Sequence, residues 1–274
     1  MTKVTVQRGP TGEVERTWER QAPEDHQREE AMQAALQAMC AEIKPVDPVP
    51  APAQSMADLL ALYTLTDAHV GMLAWHREGG EDWDLEIAER TIVGCFAETI
   101  RQMPPARQAV LNQLGDLLHY DSLSAVTPTS GHILDADGRY TKMVEVAVRI
   151  IRRVVAMLLE KHERVHIVMA EGNHDMASSV WLRTMFKALY EAEPRITVDD
   201  SALPYYVFEH GDVMLAFHHS HLRKNPQLPG LLAAQFAQIW GRTTKRYCHT
   251  GNLHHAEEKE HAGVTVIQHP TLAA

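Results

Sequence analysis

Cysteine is scarce in this chain: Cys40, Cys95 and Cys248 are the three among 274 residues. They are odd in number, far apart and in no C-x-x-C pair. That excludes a disulfide framework and points to reduced thiols in a cytoplasmic setting. Positive charge is also short, with 26 Lys and Arg against 36 Asp and Glu and a formal net charge of −10. Broad, sequence-independent binding to duplex DNA depends on cations that neutralise phosphates, so this balance argues against it. A local basic groove stays open, and bound cations would add charge at a site. Long apolar runs are missing. The longest apolar region, residues 144–159, is broken by Arg149, Arg152 and Arg153, so no membrane span is expected. The N-terminus is polar and reads as no signal peptide. There is no internal repeat.

Apolar residues make up 45% of the chain, and histidine is abundant at 17. The length allows one large domain, or a domain with an appendage. The histidines form no run at either terminus. Many sit in short polar clusters that follow apolar runs. Asp67-Ala68-His69 closes the run 59–66. Gly115-Asp116-Leu117-Leu118-His119 closes 109–114. Glu171-Gly172-Asn173-His174-Asp175 closes 165–170. His218-His219-Ser220-His221 follows 213–217, and Gly251-Asn252-Leu253-His254-His255 comes near the end. Five clusters of metal-ligand type in series are hard to obtain by chance.

Residues 1–45 read as an N-terminal helical appendage, with Met32, Leu36, Met39 and Ile43 on one helical stripe within 24–43. The Pro-rich stretch 46–56 reads as a stiff linker, and 57–274 as the main domain. Within it, helices are expected over 83–103, 140–162 and 178–191. A hairpin turn is expected at His210-Gly211-Asp212, and a long loop over 120–139. Strands alternating with helices give an α/β layered core with polar residues on the strand-end loops.

The order D-x-H, GDxxH, GNHD, a histidine-bearing strand end and G-x-x-H resembles the calcineurin-like metallophosphoesterase superfamily. The GDxxH form is closest to its repair-nuclease-like phage and bacterial phosphoesterases. The resemblance spans residues 59–255. It implies a central β-sandwich flanked by helices, with two divalent metal ions at the strand ends: Mn first, with Zn, Ni, Fe or Mg as alternatives. By motif position, Asp67, His69, Asp116 and His254 resemble the first ion's ligands, with Asp116 as the bridge. Asn173 and His219 resemble the second ion's ligands, with His218 as the competing residue, and His174 the catalytic histidine. Asp175 would orient His174 or its loop. The last motif departs from the family's GHxH: Asn252 stands where a histidine is usual. An amide oxygen is the weaker ligand for late transition metals.

The function implied is metal-dependent phosphodiester hydrolysis, acting on nucleic acid or a nucleotide. The alternatives are a phosphomonoesterase or protein phosphatase, or a non-catalytic scaffold with a weakened second metal site. A protein phosphatase would carry GDxxD-R-G, and no Arg follows Leu117-Leu118-His119. His119 and Asp121 read as outer or loop residues. Trp75 and Trp83 read as core caps, with base stacking as the alternative, and the Arg149 cluster reads as facing solvent. The stripe in 24–43 reads as a packing face or a homo-oligomer contact. Few strands are expected after the last motif, only residues 263–268.

Overall fold

A computed structural model describes residues 3–9, 11–20 and 49–273. The chain divides into two compact units, Met1–Pro45 and Val46–Ala274. The described part of the first is a hairpin of β1 (Lys3–Arg8) and β2 (Val14–Arg20), antiparallel, turned at Gly9 and Gly12. The described part of the appendage is therefore this strand pair. The helical stripe expected over 24–43 lies outside the described residues.

The second unit begins with a parallel sheet in the order β3-β4-β5-β6: β3 (Met56–Leu65), β4 (Ala106–Gln113), β5 (Arg164–Met169) and β6 (Ile196–Val198). Helices make the crossovers: α1 (Leu85–Gln102), α2 (Tyr140–Lys161) and α3 (Met176–Leu189). In α1 the apolar residues Leu85, Ala88, Ile92, Phe96 and Ile100 recur every three or four positions and form one buried stripe. Asp84 caps it by accepting from the Ile87 amide at 2.7 Å, and Pro104-Pro105 forbids its continuation. In α2, buried residues fall on more than one face, from Met143 to Leu159. Arg149 on α2 is not simply solvated, since its guanidinium meets the Glu89 carboxylate of α1 at 2.6 Å.

The second sheet is mixed, in the order β10-β11-β9-β8-β7. Its strands are β7 (Tyr206–His210), β8 (Val213–His218), β9 (Lys245–Thr250), β10 (Glu257–His261) and β11 (Val264–Gln268). The turn between β7 and β8 is the expected hairpin. Strand alternation sorts β8 between two cores. Leu215 and Phe217 pack with Val110, Leu114, Val168 and Ala170 of the parallel sheet. Met214 and Ala216 pack instead with Leu228 and Leu232 of α4 (Leu228–Gln235). A short helix α5 (Ala237–Arg242) adds Ile239 and Trp240 to that second core. The result is α/β, two stacked sheets covered by helices on their outer faces. Strand β4 is covered on both sides from Ala109 to Gln113, where the apolar Ala109, Val110 and Leu111 are followed by the buried polar Asn112 and Gln113. No described helix is long and apolar enough to cross a membrane.

Register aligns the strand ends. Leu65, Gln113 and Met169 stand side by side across β3, β4 and β5, and His218 pairs with Thr250 across β8 and β9. All five histidine-bearing clusters therefore leave their strands at C-terminal ends.

Candidate metal centre

Backbone hydrogen bonds zip the first two loops together. Asp67 N–H donates to the Gly115 carbonyl (3.1 Å), His69 N–H to Asp116 (3.0 Å) and Val70 N–H to Leu117 (2.8 Å). A third loop is tied in through Asp175. Its buried carboxylate accepts from the amides of Gly172 (3.0 Å), Asp116 (3.3 Å), Leu117 (2.8 Å) and Leu118 (3.2 Å). Gly172 lies so close to Asp116 that a Cβ there would overlap the Asp116 carboxylate and amide. Gly115, at φ +103°, presses in the same way on the His219 ring. These two glycines let ligand side chains approach a neighbouring backbone that no other residue would allow.

Three ion-sized groups result, each with its ligand atoms within 4.8 Å of one another: Asp67, His69 and His254; Asp67, Asp116 and His219; and His69, His119 and His174. Asp67 belongs to two of them. Motif order assigned the bridging role to Asp116, which belongs to one. The His254 Nε2 lies 3.1 Å from Asp67 Oδ1, and His219 Nε2 lies 3.1 Å from Asp116 Oδ2. His119, expected as an outer residue, has its Nδ1 3.4 Å from His69 Nδ1.

Asn173 and Asn252 flank these groups. The Asn173 Oδ1 is buried and has no hydrogen-bond partner among the described residues, whereas Asp67 Oδ1 and His219 Nε2 meet other members of the cluster, His254 and Asp116. Asn252 reaches the cluster through its backbone, its N–H donating to Asp67 Oδ2 at 2.9 Å. His174 is half-buried. Its N–H donates to Asp116 Oδ1 (2.8 Å), and its Nδ1 is fixed by the His119 carbonyl (2.8 Å), with no hydrogen bond to Nε2 among the described residues.

The charges in this centre meet imidazoles alone among the described residues. Burial pushes the Asp67 carboxyl up, but the His254 hydrogen bond and the His219 charge prevail and hold it below the usual range. Asp116 is likewise held low, by His219 against its own burial. Burial, and then the Asp116 charge, pushes the Asp175 carboxyl up. Burial lowers His69 to about 4 and His119 to about 3, so both are neutral at pH 7 and in the form that binds a cation. Burial works against a charge on His219 too, but Asp116 and then Asp67 raise it to about 9. A proton on His219 thus offsets the two carboxylates in the place a cation would take.

Other histidines are engaged elsewhere. His218 gives its Nδ1 to the Pro204 carbonyl at 2.8 Å, and its ring packs on Tyr205. Of the adjacent pair, His219 is the one in the centre. His249 pairs with His269 at 2.8 Å, and His255 bonds the Leu253 carbonyl. Asp121 caps the start of α3 through the Ala177 and Ser178 amides. Trp83 is core at 3% exposure, whereas Trp75 is exposed with Arg77 over its ring. Two supporting residues carried no sequence signal. Gln268 donates to the Gly251 carbonyl, and Thr271 Oγ1 donates to the Asp67 carbonyl at 2.5 Å. Gln268 reads as the end of an alternating strand, and Thr271 as tail.

The donor set fits divalent cations. Two buried carboxylates side by side, with imidazoles as their charge partners, are costly without a cation, and the buried Asn173 amide oxygen beside them has no partner among the described residues. Mixed imidazole and carboxylate ligands suit first-row transition metals.

No family model matches the chain, and no curated protein matches it. Solved structures that align include the phosphoesterase Yfce from E. coli, at 14% identity and TM-score 0.40, covering 78% of this chain and 80% of that one. Phosphopantetheinyl hydrolase from Mycobacterium tuberculosis aligns at 10% identity and TM-score 0.36, covering 79% and 91%. A Vps29 mutant from Entamoeba histolytica aligns at 12% identity and TM-score 0.35, covering 77% and 74%. Likeness at this level carries no argument about activity, which the ligand geometry has to supply.

Proposed function

We propose that this chain is a metal-dependent phosphoesterase, and specifically a phosphodiesterase acting on a nucleotide or nucleic acid. The observation that carries the reading is the pair of ion-sized groups sharing Asp67, one buried and one open at His254, beside His174, whose Nε2 has no hydrogen bond among the described residues. Asp67, His69 and His254 would hold one cation. Asp116, His219 and the Asn173 amide oxygen would hold the other, with Asn252 beside them. When bound, divalent cations neutralise phosphoryl oxygens and acidify water.

The chain's own residues supply the rest. Asp175 positions the Asp116 and Gly172 loops. In hydrolysis, water's oxygen bonds to phosphorus, the ester P–O bond breaks and the leaving oxygen takes a proton. His174 is the donor: with its Nδ1–H given to the His119 carbonyl, a further proton on Nε2 makes the ring an imidazolium, which passes that proton to the leaving oxygen and returns to the neutral Nδ1–H form. General acid catalysis of this kind typically contributes ~10²–10⁴-fold. His69 and His119 stay neutral and do not compete for that proton.

The test is hydrolysis of bis-p-nitrophenyl phosphate against p-nitrophenyl phosphate, after chelation and reloading with Mn, Ni, Zn or Mg. The expected result is Mn-restored turnover that favours the diester. Preference for the monoester would overturn the diesterase assignment. No turnover with any metal would overturn the enzyme reading.

A further inference from the structure

Beside the ligand loops lies a cavity of about 550 Å³, lined by residues 220–227 together with Asn252, Leu253 and Glu257. It is continuous with the metal centre along the chain, since Ser220 follows His219, and Asn252 and Leu253 precede His254. Its volume falls in the ~300–1,000 Å³ range of small-molecule clefts.

The lining has a definite chemistry. Leu222 and Leu253 are 46% and 51% exposed. Arg223 and Lys224 face one carboxylate, Glu257, in this lining, the reverse of the chain's overall acidic balance. Neither cation meets a carboxylate among the described residues. The Arg223 guanidinium donates to the adjacent Leu222 carbonyl at 3.2 Å. His221 is the second, independent sign. Its side chain is 7% exposed, yet both ring nitrogens lack a hydrogen-bond partner, and the Glu171 carboxylate stands 3.8 Å off. A buried imidazole with nothing to bond is rare in folded chains, and this one lines the cavity.

The wall is also built to hold its shape. Ser220, at φ +79°, donates from its hydroxyl to Asn225 Oδ1 at 2.8 Å. Asn225 in turn donates to Gln268 at 3.3 Å, and the Lys224 amide donates to Gln227 at 3.2 Å. The cations therefore ride on a tied loop.

We propose that this cavity is the specificity subsite of the hydrolytic centre, shaped for a nucleotide-sized phosphoester that carries a second phosphate. An apolar ring lies against Leu222 and Leu253. The distal phosphate is held by Arg223 and Lys224, and His221 bonds a polar atom between them. The inference rests on the phosphoesterase reading and names its substrate class as small bisphosphorylated esters, not polymers.

Two chromogenic esters test it: thymidine 5′-(p-nitrophenyl phosphate), and the same compound with a 3′-phosphate. With the full Mn-loaded chain, KM for the bisphosphorylated ester should be about tenfold lower, the scale of a charge-assisted contact. In the Arg223→Gln, Lys224→Gln double variant the two KM values should converge. Calorimetry of thymidine 3′,5′-bisphosphate with the metal-free chain gives a second reading. Binding is expected, and is expected to weaken about tenfold in the double variant. Equal KM values in the wild type, or a ratio that survives the double substitution, would overturn the subsite. If neither ester is hydrolysed with any metal, the enzyme reading fails, and calorimetry alone then decides the subsite.

Discussion

Replacing Asp175 with Asn tests whether its carboxylate holds the metal centre together. The side chain accepts four backbone amides, Gly172 and Asp116 through Oδ1 and Leu117 and Leu118 through Oδ2. An Asn keeps one oxygen, so two of those buried amides would face an NH2 group. A buried donor left unmade costs ~1–3 kcal/mol, which gives ~2–6 kcal/mol for the two. The substitution also removes a buried carboxylate beside Asp116, a relief of roughly 1–2 kcal/mol against that loss. Taken at mid-range, ~4 against ~1.5 kcal/mol, the net expectation is ~2.5 kcal/mol of destabilisation. For a unit the size of residues 46–274 this lowers Tm by ~5–10 °C. Scanning calorimetry on chelator-treated protein reads the stability, and plasma mass spectrometry after dialysis against Mn reads retained metal. Both should fall, because the freed amides belong to the loop that carries Asp116. A Tm within 2 °C of wild type, with metal content unchanged, would refute the argument.

Four further outcomes are expected. Asp116→Ala should abolish chelator-sensitive turnover and reduce bound metal, measured by mass spectrometry; full activity in excess EDTA would contradict the metal reading. His174→Ala should cut turnover ~10²–10⁴-fold with metal content near wild type, and less for p-nitrophenolate than for alkoxide leaving groups; metal loss in this variant would make His174 a ligand. Asn252→His should tighten the weaker metal about tenfold, ~1.4 kcal/mol, by calorimetric titration; an unchanged second affinity would show that Asn252 stands outside the coordination sphere. Stability should fall in mild acid, because burial holds His249 at about 3 and His162 below its usual range. A folded pKa below the unfolded value of ~6.5 means the contribution is complete above pH 6.5 and is lost as pH falls toward 3. For His249 the loss between pH 6.5 and 5 is about 2 kcal/mol, His162 adds in the same direction, and equal urea midpoints at pH 7 and 5 would refute it.

How much of this was legible in the chain follows from the range of each interaction. The strands of the parallel sheet show in the sequence because their covered stretches carry short apolar runs, such as Ala109, Val110 and Leu111 in β4. The helix α1 shows because its stripe and its Asp84 cap are local. The histidine clusters show because they sit directly behind those strands. What stayed hidden depends on long-range partners. Strand β10 is Glu257–His261, mostly exposed, and is held as an edge by pairing with β11. Its composition therefore reads as a loop. Thr271 reaches Asp67 across 204 residues, and Asp175 reaches the Asp116 loop across 59. Nothing near either residue announces those contacts. Choosing His219 over His218 needed the same information, since adjacent residues differ only in which one meets Asp116.

The backbone of the centre adds an argument that residue types alone could not make. Among the described residues, the non-glycine positions with positive φ are Asp67 (50°), His69 (41°), Asp116 (51°), Ser220 (79°), Asn252 (72°) and His254 (57°). Each costs of order 1–3 kcal/mol, and a chain free of functional demands would place glycine at such turns. Here four of the six are in the ion-sized groups, and the other two, Ser220 and Asn252, adjoin the metal centre and line the cavity. The strain of the non-glycine residues is therefore concentrated where side chains converge, and within the centre glycine stands at positions 115, 172 and 251, where a Cβ would meet a ligand side chain. A fold shaped for stability alone would exchange these assignments. Their distribution follows if the turns exist to present Asp67, His69, Asp116 and His254 inward, with the cost offset by the tying bonds from Asp175, Gln268 and Thr271.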